Sequence, residues 1–105
     1  MDQVSTGQRV KVLRTKAGLS VEDLAQLVGL SPHTIYRIEG ATPAPRTPLT
    51  STLIALATAL GSRVGWLATG EGLEPSIEDV LAAVAKARQA KASEHGRQAD
   101  EGGHS

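Results

Sequence analysis

An all-α fold is what this sequence predicts, on three observations. Alanine, leucine and valine supply most of the apolar content, with one Trp, one Tyr and no Phe, which suits packed helices. The pair Leu-Ser stands at 19–20 and again at 30–31, each time ahead of apolar residues at helical spacing. Glycines follow the periodic segments as stops. The expected organisation is a five-helix unit over residues 1–72, a C-terminal helix within 73–92, and a disordered tail over 93–105.

The first helix starts at Ser5. Ser5-Thr6-Gly7-Gln8 fits a capping box, in which the Ser5 hydroxyl and the Gln8 amide satisfy N–H groups orphaned by the first turn. Val10, Leu13 and Ala17 then share a face, and Gly18 is a natural stop. Ser20 caps the second helix, with Glu22 and Asp23 in the first turn, where the helix dipole favours anions. Leu19, just before that cap, can pack on Leu24 as a hydrophobic staple. Val21, Leu24, Leu27 and Val28 face one way, and Gly29 ends the helix. Ser31 caps the third, with Pro32 where its missing N–H costs nothing and Leu30 able to staple to Ile35. Ile35 and Ile38 face inward; His33 and Arg37, four apart, point the other way.

Residues 41–49 hold three prolines, which stiffen the segment and forbid regular helix. Leu53, Leu56, Ala57 and Leu60 mark a fourth helix, ended by Gly61. Ser62 reads as the cap of a short fifth helix with Val64, Trp66 and Leu67, and Gly70-Glu71-Gly72 as the end of the compact unit. Pro75-Ser76 opens another helix with the apolar stripe Ile77, Val80, Leu81 and Val84, which either packs on its own domain or forms a dimer seam. From about Ser93 the composition is polar and glycine-rich, the signature of disorder.

Two short helices, 20–28 and 32–39, are thus joined across Gly29-Leu30-Ser31. Together with Arg9-Val10 through Leu13-Arg14, Gly18-Leu19-Ser20, Leu24-Ala25-Gln26, Ile35, Ile38-Glu39, Leu56-Ala57, Ala59-Leu60-Gly61, Gly65-Trp66-Leu67 and Gly70, this pair resembles the lambda-repressor-like (Cro/repressor, XRE) helix-turn-helix family over about residues 5–72. The resemblance implies five packed helices, with helix 32–39 inserted in the major groove of DNA. It also implies an ion pair between Arg14 and Glu39, tying the first helix to the recognition helix; both are awkward charges beside apolar faces, for which pairing is the cheap solution. Three departures stand out. Val21 replaces a phosphate-clamping glutamine and cannot hydrogen-bond, Gly40-Ala41 moves the usual glycine forward by one residue, and the loop before the fourth helix is longer.

Within that frame Pro32, His33, Thr34, Tyr36 and Arg37 are the candidates for the major groove. Arg37 can donate twice to guanine, and Thr34 can meet a thymine methyl or a phosphate. Ser20, Thr42 and Arg46 are the phosphate candidates. No metal site is expected: His33 has no second His or Cys at ligand spacing, and His95 and His104 lie in the tail. No cofactor and no enzyme activity are expected either. There is no paired-carboxylate site, no Ser/His/Asp grouping and no phosphate loop after a strand.

Charge and composition bound the partners. The chain is neutral overall, but residues 1–72 hold seven Lys/Arg against five Asp/Glu, and residues 73–105 four against six. A front half at +2 binds DNA weakly as a monomer and with strong salt dependence. A homodimer on a palindromic double-stranded DNA site is therefore the expected assembly, with transcriptional repression as the expected outcome. The alternative is an antitoxin or adaptor that binds a protein partner through residues 75–92. Cysteine is absent, no apolar run approaches membrane length, and the first residues lack the pattern of a signal peptide. These features suit a cytoplasmic, nucleoid-associated protein, of phage or bacterial type, with no membrane partner.

Overall fold

Four serines set where the helices begin. In the computed structural model, which describes residues 4–40 and 48–104 with the side chains of 94–104 excepted, the hydroxyls of Ser5, Ser20, Ser31 and Ser76 accept from the backbone N–H of Gln8, Asp23, Thr34 and Asp79 at 3.0–3.1 Å. The Ser5/Gln8 capping box is closed by the return bond from the Ser5 N–H to the Gln8 amide, and Asp23 returns the same bond to Ser20. The element order is α1 (Thr6–Lys16), α2 (Val21–Val28), α3 (Pro32–Ile38), α4 (Thr50–Leu60), α5 (Val64–Thr69) and α6 (Ile77–His104). No strand occurs among the described residues.

One start differs from expectation. The N-cap of α5 is Arg63, without a side-chain cap bond, and not Ser62. The cause lies one helix earlier. Gly61 leaves α4 in the left-handed region, and the Ser62 N–H closes back on the Ala57 carbonyl at 3.0 Å. Ser62 therefore belongs to the C-terminal cap of α4.

The core gathers one apolar ridge from each helix. Val10 and Leu13 of α1, Leu24 and Ala25 of α2, and Ile35 and Ile38 of α3 meet Leu56, Ala57 and Leu60 of α4 and Trp66 and Leu67 of α5. Leu19 and Val21, either side of the α2 cap, are buried with them.

The core does not close at Gly72. Val80 and Val84 of α6 join it as fully as any residue of the first five helices. A Cβ built on Gly61 would lie 2.5 Å from the Asp79 carbonyl oxygen and 3.0 Å from the Ala83 Cβ, so the end of α4 and the start of α6 meet nearly backbone to backbone. The predicted stripe on α6 is wider than this contact. Val80 and Val84 face the core, whereas Ile77 and Leu81, rotated off that ridge, are 43% and 49% exposed.

The helical backbone of α6 runs on to His104, through the segment read from sequence as a disordered tail. Alanine, lysine, glutamine and arginine across 85–92 are good helix formers, and they carry the helix well past its last buried residue. Side chains from Glu94 onward lie outside the described residues.

Val80→Ala is expected to cost about 2 kcal/mol in urea unfolding, while Leu81→Ala stays within about 0.5 kcal/mol. Equal effects at the two positions would mean that α6 is not docked on the core.

Candidate nucleic-acid interface

The α2–α3 pair is built by local rules and held by distant ones. Gly29 takes the left-handed conformation (φ 73°) that turns the chain, and the Leu30 N–H returns to the Ala25 carbonyl at 2.9 Å. Two residues after Gly29, Ser31 caps α3 with Pro32 in its first turn. A seven-residue helix such as α3 is not stable alone. Ile35 and Ile38 anchor it to the core, at 0% and 4% exposure.

Arg14 fixes the angle of α3. Its Nε donates to Glu39 Oε2 at 2.7 Å and its Nη2 to Oε1 at 3.1 Å, a bidentate pair with side-chain exposures of 11% and 3%. Its Nη1 donates to the Leu19 carbonyl at 2.9 Å. One guanidinium thus joins α1, the entry to α2 and the end of α3. The hydrogen-bonded Glu39 carboxylate raises the Arg14 pKa, against the lowering effect of burial.

Two further residues seat α1, Gly7 against α3 and Arg9 against α5, and neither was given this role from sequence. A Cβ on Gly7 would overlap the Ile38 carbonyl oxygen, so α1 rests directly on the last turn of α3. Arg9 is 8% exposed and has no acidic partner among the described residues. Its guanidinium donates to the carbonyls of Leu67 at 2.9 Å and Ala68 at 3.0 Å, and also to that of Val4. The carbonyl-rich C-terminal end of α5 is a favourable place for a cation. A glycine inside a helix start and an arginine on an apolar face were the available signals. Neither points to its partner, because those partners lie far along the chain.

The five groove candidates sit differently on α3. Pro32, His33 and Tyr36 are exposed, Tyr36 at 40%. Thr34 and Arg37 are partly buried. The Thr34 hydroxyl lies 2.9 Å from that of Ser31. Thr34 also lines a groove with Leu30, Ile38, Leu49 and Thr52, which turns it toward α4. Arg37 is engaged intramolecularly. Among the phosphate candidates, Ser20 is exposed, but its N–H donates to the Asp23 carboxylate at 3.1 Å, leaving its hydroxyl proton as the donor available to an anion. Thr42 and Arg46 lie outside the described residues. Val21 is buried at 6% exposure and takes no part in the surface.

Two helices across a three-residue turn, packed on a third that carries the Arg14 clamp, define a helix-turn-helix protein. The helix-turn-helix domain family matches residues 6–65, more than half of the chain, and the chain belongs to that family. This agrees with the lambda-repressor-like resemblance and makes the chain a DNA-binding protein of the kind that regulates transcription. No curated protein and no solved structure matches it. No helix among the described residues is long and apolar enough to cross a membrane.

Removing either partner of the Arg14–Glu39 pair leaves a buried charge, so Glu39→Ala is expected to cost about 3 kcal/mol in urea unfolding. Arg14→Lys is expected to recover only part of that pair, since an ammonium cannot reproduce the two-pronged contact. Full stability in Arg14→Lys would show that the bidentate geometry is not needed.

Asp23 has a depressed pKa, first because Ser20 hydrogen-bonds its carboxylate, with a smaller contribution from the charge of Arg88. A carboxyl held lower in the folded than in the unfolded chain stabilises the fold above its unfolded pKa and loses that contribution as pH falls through its folded pKa. Asp23→Asn is thus expected to be less stable than wild type at neutral pH, with the gap closing in acid below the carboxylate range. A gap that persists there in urea titrations would refute the assignment.

Proposed function

We propose that the protein is a sequence-specific transcriptional repressor that binds duplex DNA with α3 in the major groove. The observation that carries this reading is the exposed surface of Pro32, His33 and Tyr36 on a short helix clamped from behind by Arg14 and Glu39. A rigid helix with a polar outer face and apolar inner face is what base readout requires. In this reading His33 and Arg37 donate to base edges, Tyr36 packs on the sugar-phosphate edge, and Thr34 supports the helix start while reaching a thymine methyl or phosphate. Arg37 then exchanges its intramolecular partner for a base. Ser20, Thr42 and Arg46 contact phosphate. The reading involves no chemistry and no cofactor, and it puts the protein at the nucleoid in the cytoplasm.

One α3 reads only a few base pairs, so useful affinity comes from a twofold homodimer on a palindrome. Leu73, Ile77 and Leu81, spaced four apart and exposed at 79%, 43% and 49%, favour a protein contact at the start of α6. A partner other than a second copy, as for an antitoxin or adaptor, is the competing occupant of that surface.

Selection of bound genomic fragments by the full chain, at two salt concentrations, tests the proposal. The expected result is a short palindrome, weakened by salt and lost in Arg37→Ala. Failure to enrich any sequence at low salt would overturn it, and the exposed start of α6 would then be the surface to probe with proteins.

A further inference from the structure

The cations of this fold are unequally available. Arg9 is latched to carbonyl groups, Arg14 is paired with Glu39, and Lys16 is paired with Glu74 at 3.0 Å. The motif's first helix, α2, carries no Lys or Arg at all, and its first turn holds Glu22 and Asp23. Yet in a docked helix-turn-helix the first helix crosses the sugar-phosphate backbone while the second enters the groove. The helix that meets phosphates therefore brings no positive charge of its own.

α6 brings positive charge to its flank. Arg88, Lys91 and Ala92 line a groove together with Asp23, Gln26 and Leu27 of α2. Ala87, Ala90 and Lys91 lie against Ala55, Thr58 and Ala59 of α4. Arg88 and Lys91 are exposed and make no ion pair among the described residues, whereas Lys86, also exposed, lines neither groove. No acidic residue stands between Asp79 and Glu94. Among the described residues lining the groove shared with α2, the carboxylate is Asp23, whose Oδ2 already accepts the Ser20 N–H. Arg88 and Lys91 outnumber it. They are displayed on a rigid support, because Val80 and Val84 fix the root of α6 in the core.

We propose that Arg88 and Lys91 form a second, sequence-independent contact to the DNA phosphate backbone along the outer flank of α2. The inference rests on the DNA-binding reading above. It assigns α6 a role in affinity, while α3 keeps the role in sequence choice.

The test is fluorescence anisotropy with the full chain on the selected duplex and a scrambled duplex, across a salt series. The double change Arg88→Gln, Lys91→Gln is expected to weaken both duplexes by a similar factor, at least about tenfold at low salt, and to flatten the slope of log K against log salt by about two. Arg88→Lys with Lys91→Arg keeps the charge and is expected to keep the wild-type slope, which separates a phosphate contact from a folding defect. Arg63→Gln, a cation on α5, controls for net charge and leaves the slope within about one of wild type. A double variant with the wild-type slope, or one weakened on the selected duplex alone, would overturn the α6 contact while the DNA-binding reading stands. A wild-type chain that binds neither duplex would overturn both.

Discussion

The structure depends on how one arginine is satisfied. Arg14 reaches from α1 to the Glu39 carboxylate at the end of α3 and to the Leu19 carbonyl at the entry to α2. Without it the two motif helices would still be capped, and their apolar faces would still pack, but nothing polar would fix the tilt of α3 against α1. Gly7 adds the steric half of the same constraint, since the Ile38 carbonyl occupies the space of a side chain there. A charge-assisted fork and a backbone contact together define the distance and angle at which α3 is presented. A reader of base edges needs that definition more than it needs stability as such.

Local chemistry was legible in the sequence because it acts over three or four residues. Ser5 with Gln8, Ser20, and Ser31 with Pro32 announce helix starts, and Gly29 and Gly61 announce the turns. The inward faces of α1 to α5 followed from helical periodicity. What the sequence did not disclose was long-range. The α5 carbonyls that hold Arg9 stand 58 and 59 residues away, and the need for glycine at position 7 comes from a carbonyl on another helix. The width of the α6 stripe misled for the same reason. Periodicity says that Ile77, Val80, Leu81 and Val84 share a side, but only the geometry of α4 decides which of them it covers. Ser62 looked like a cap because it precedes a helix, whereas its N–H was already used in closing the helix before.

Membership of the helix-turn-helix family accounts for residues 6–65, yet the folded unit is larger than the matched segment. Trp66 and Leu67 of α5, together with Val80 and Val84 of α6, complete the core that the motif helices pack on. α6 is therefore an addition that became part of the fold at its root while leaving its outer faces free. Those faces divide by chemistry along the helix. Near the start, Ile77 and Leu81, with Leu73 just ahead of the helix, present apolar surface between carboxylates; further on, Arg88 and Lys91 present positive charge beside α2.

That division bears on how a neutral chain can bind a polyanion. Structural duties engage Arg9, Arg14 and Lys16, which ties up most of the positive charge of the first helix. The carboxylates of Glu22 and Asp23 strengthen the start of α2 through the helix dipole, and at the same place they oppose phosphate. Good local capping and DNA affinity therefore conflict at the N-terminus of α2. Positive charge supplied from a different helix resolves the conflict without weakening the cap, because Arg88 both stabilises the Asp23 carboxylate and lies on the flank where phosphates would run. The cost is that affinity now depends on the docking of α6. A loss of packing at Val80 or Val84 would detach the cations from α2 and weaken DNA binding even where α3 itself remained intact.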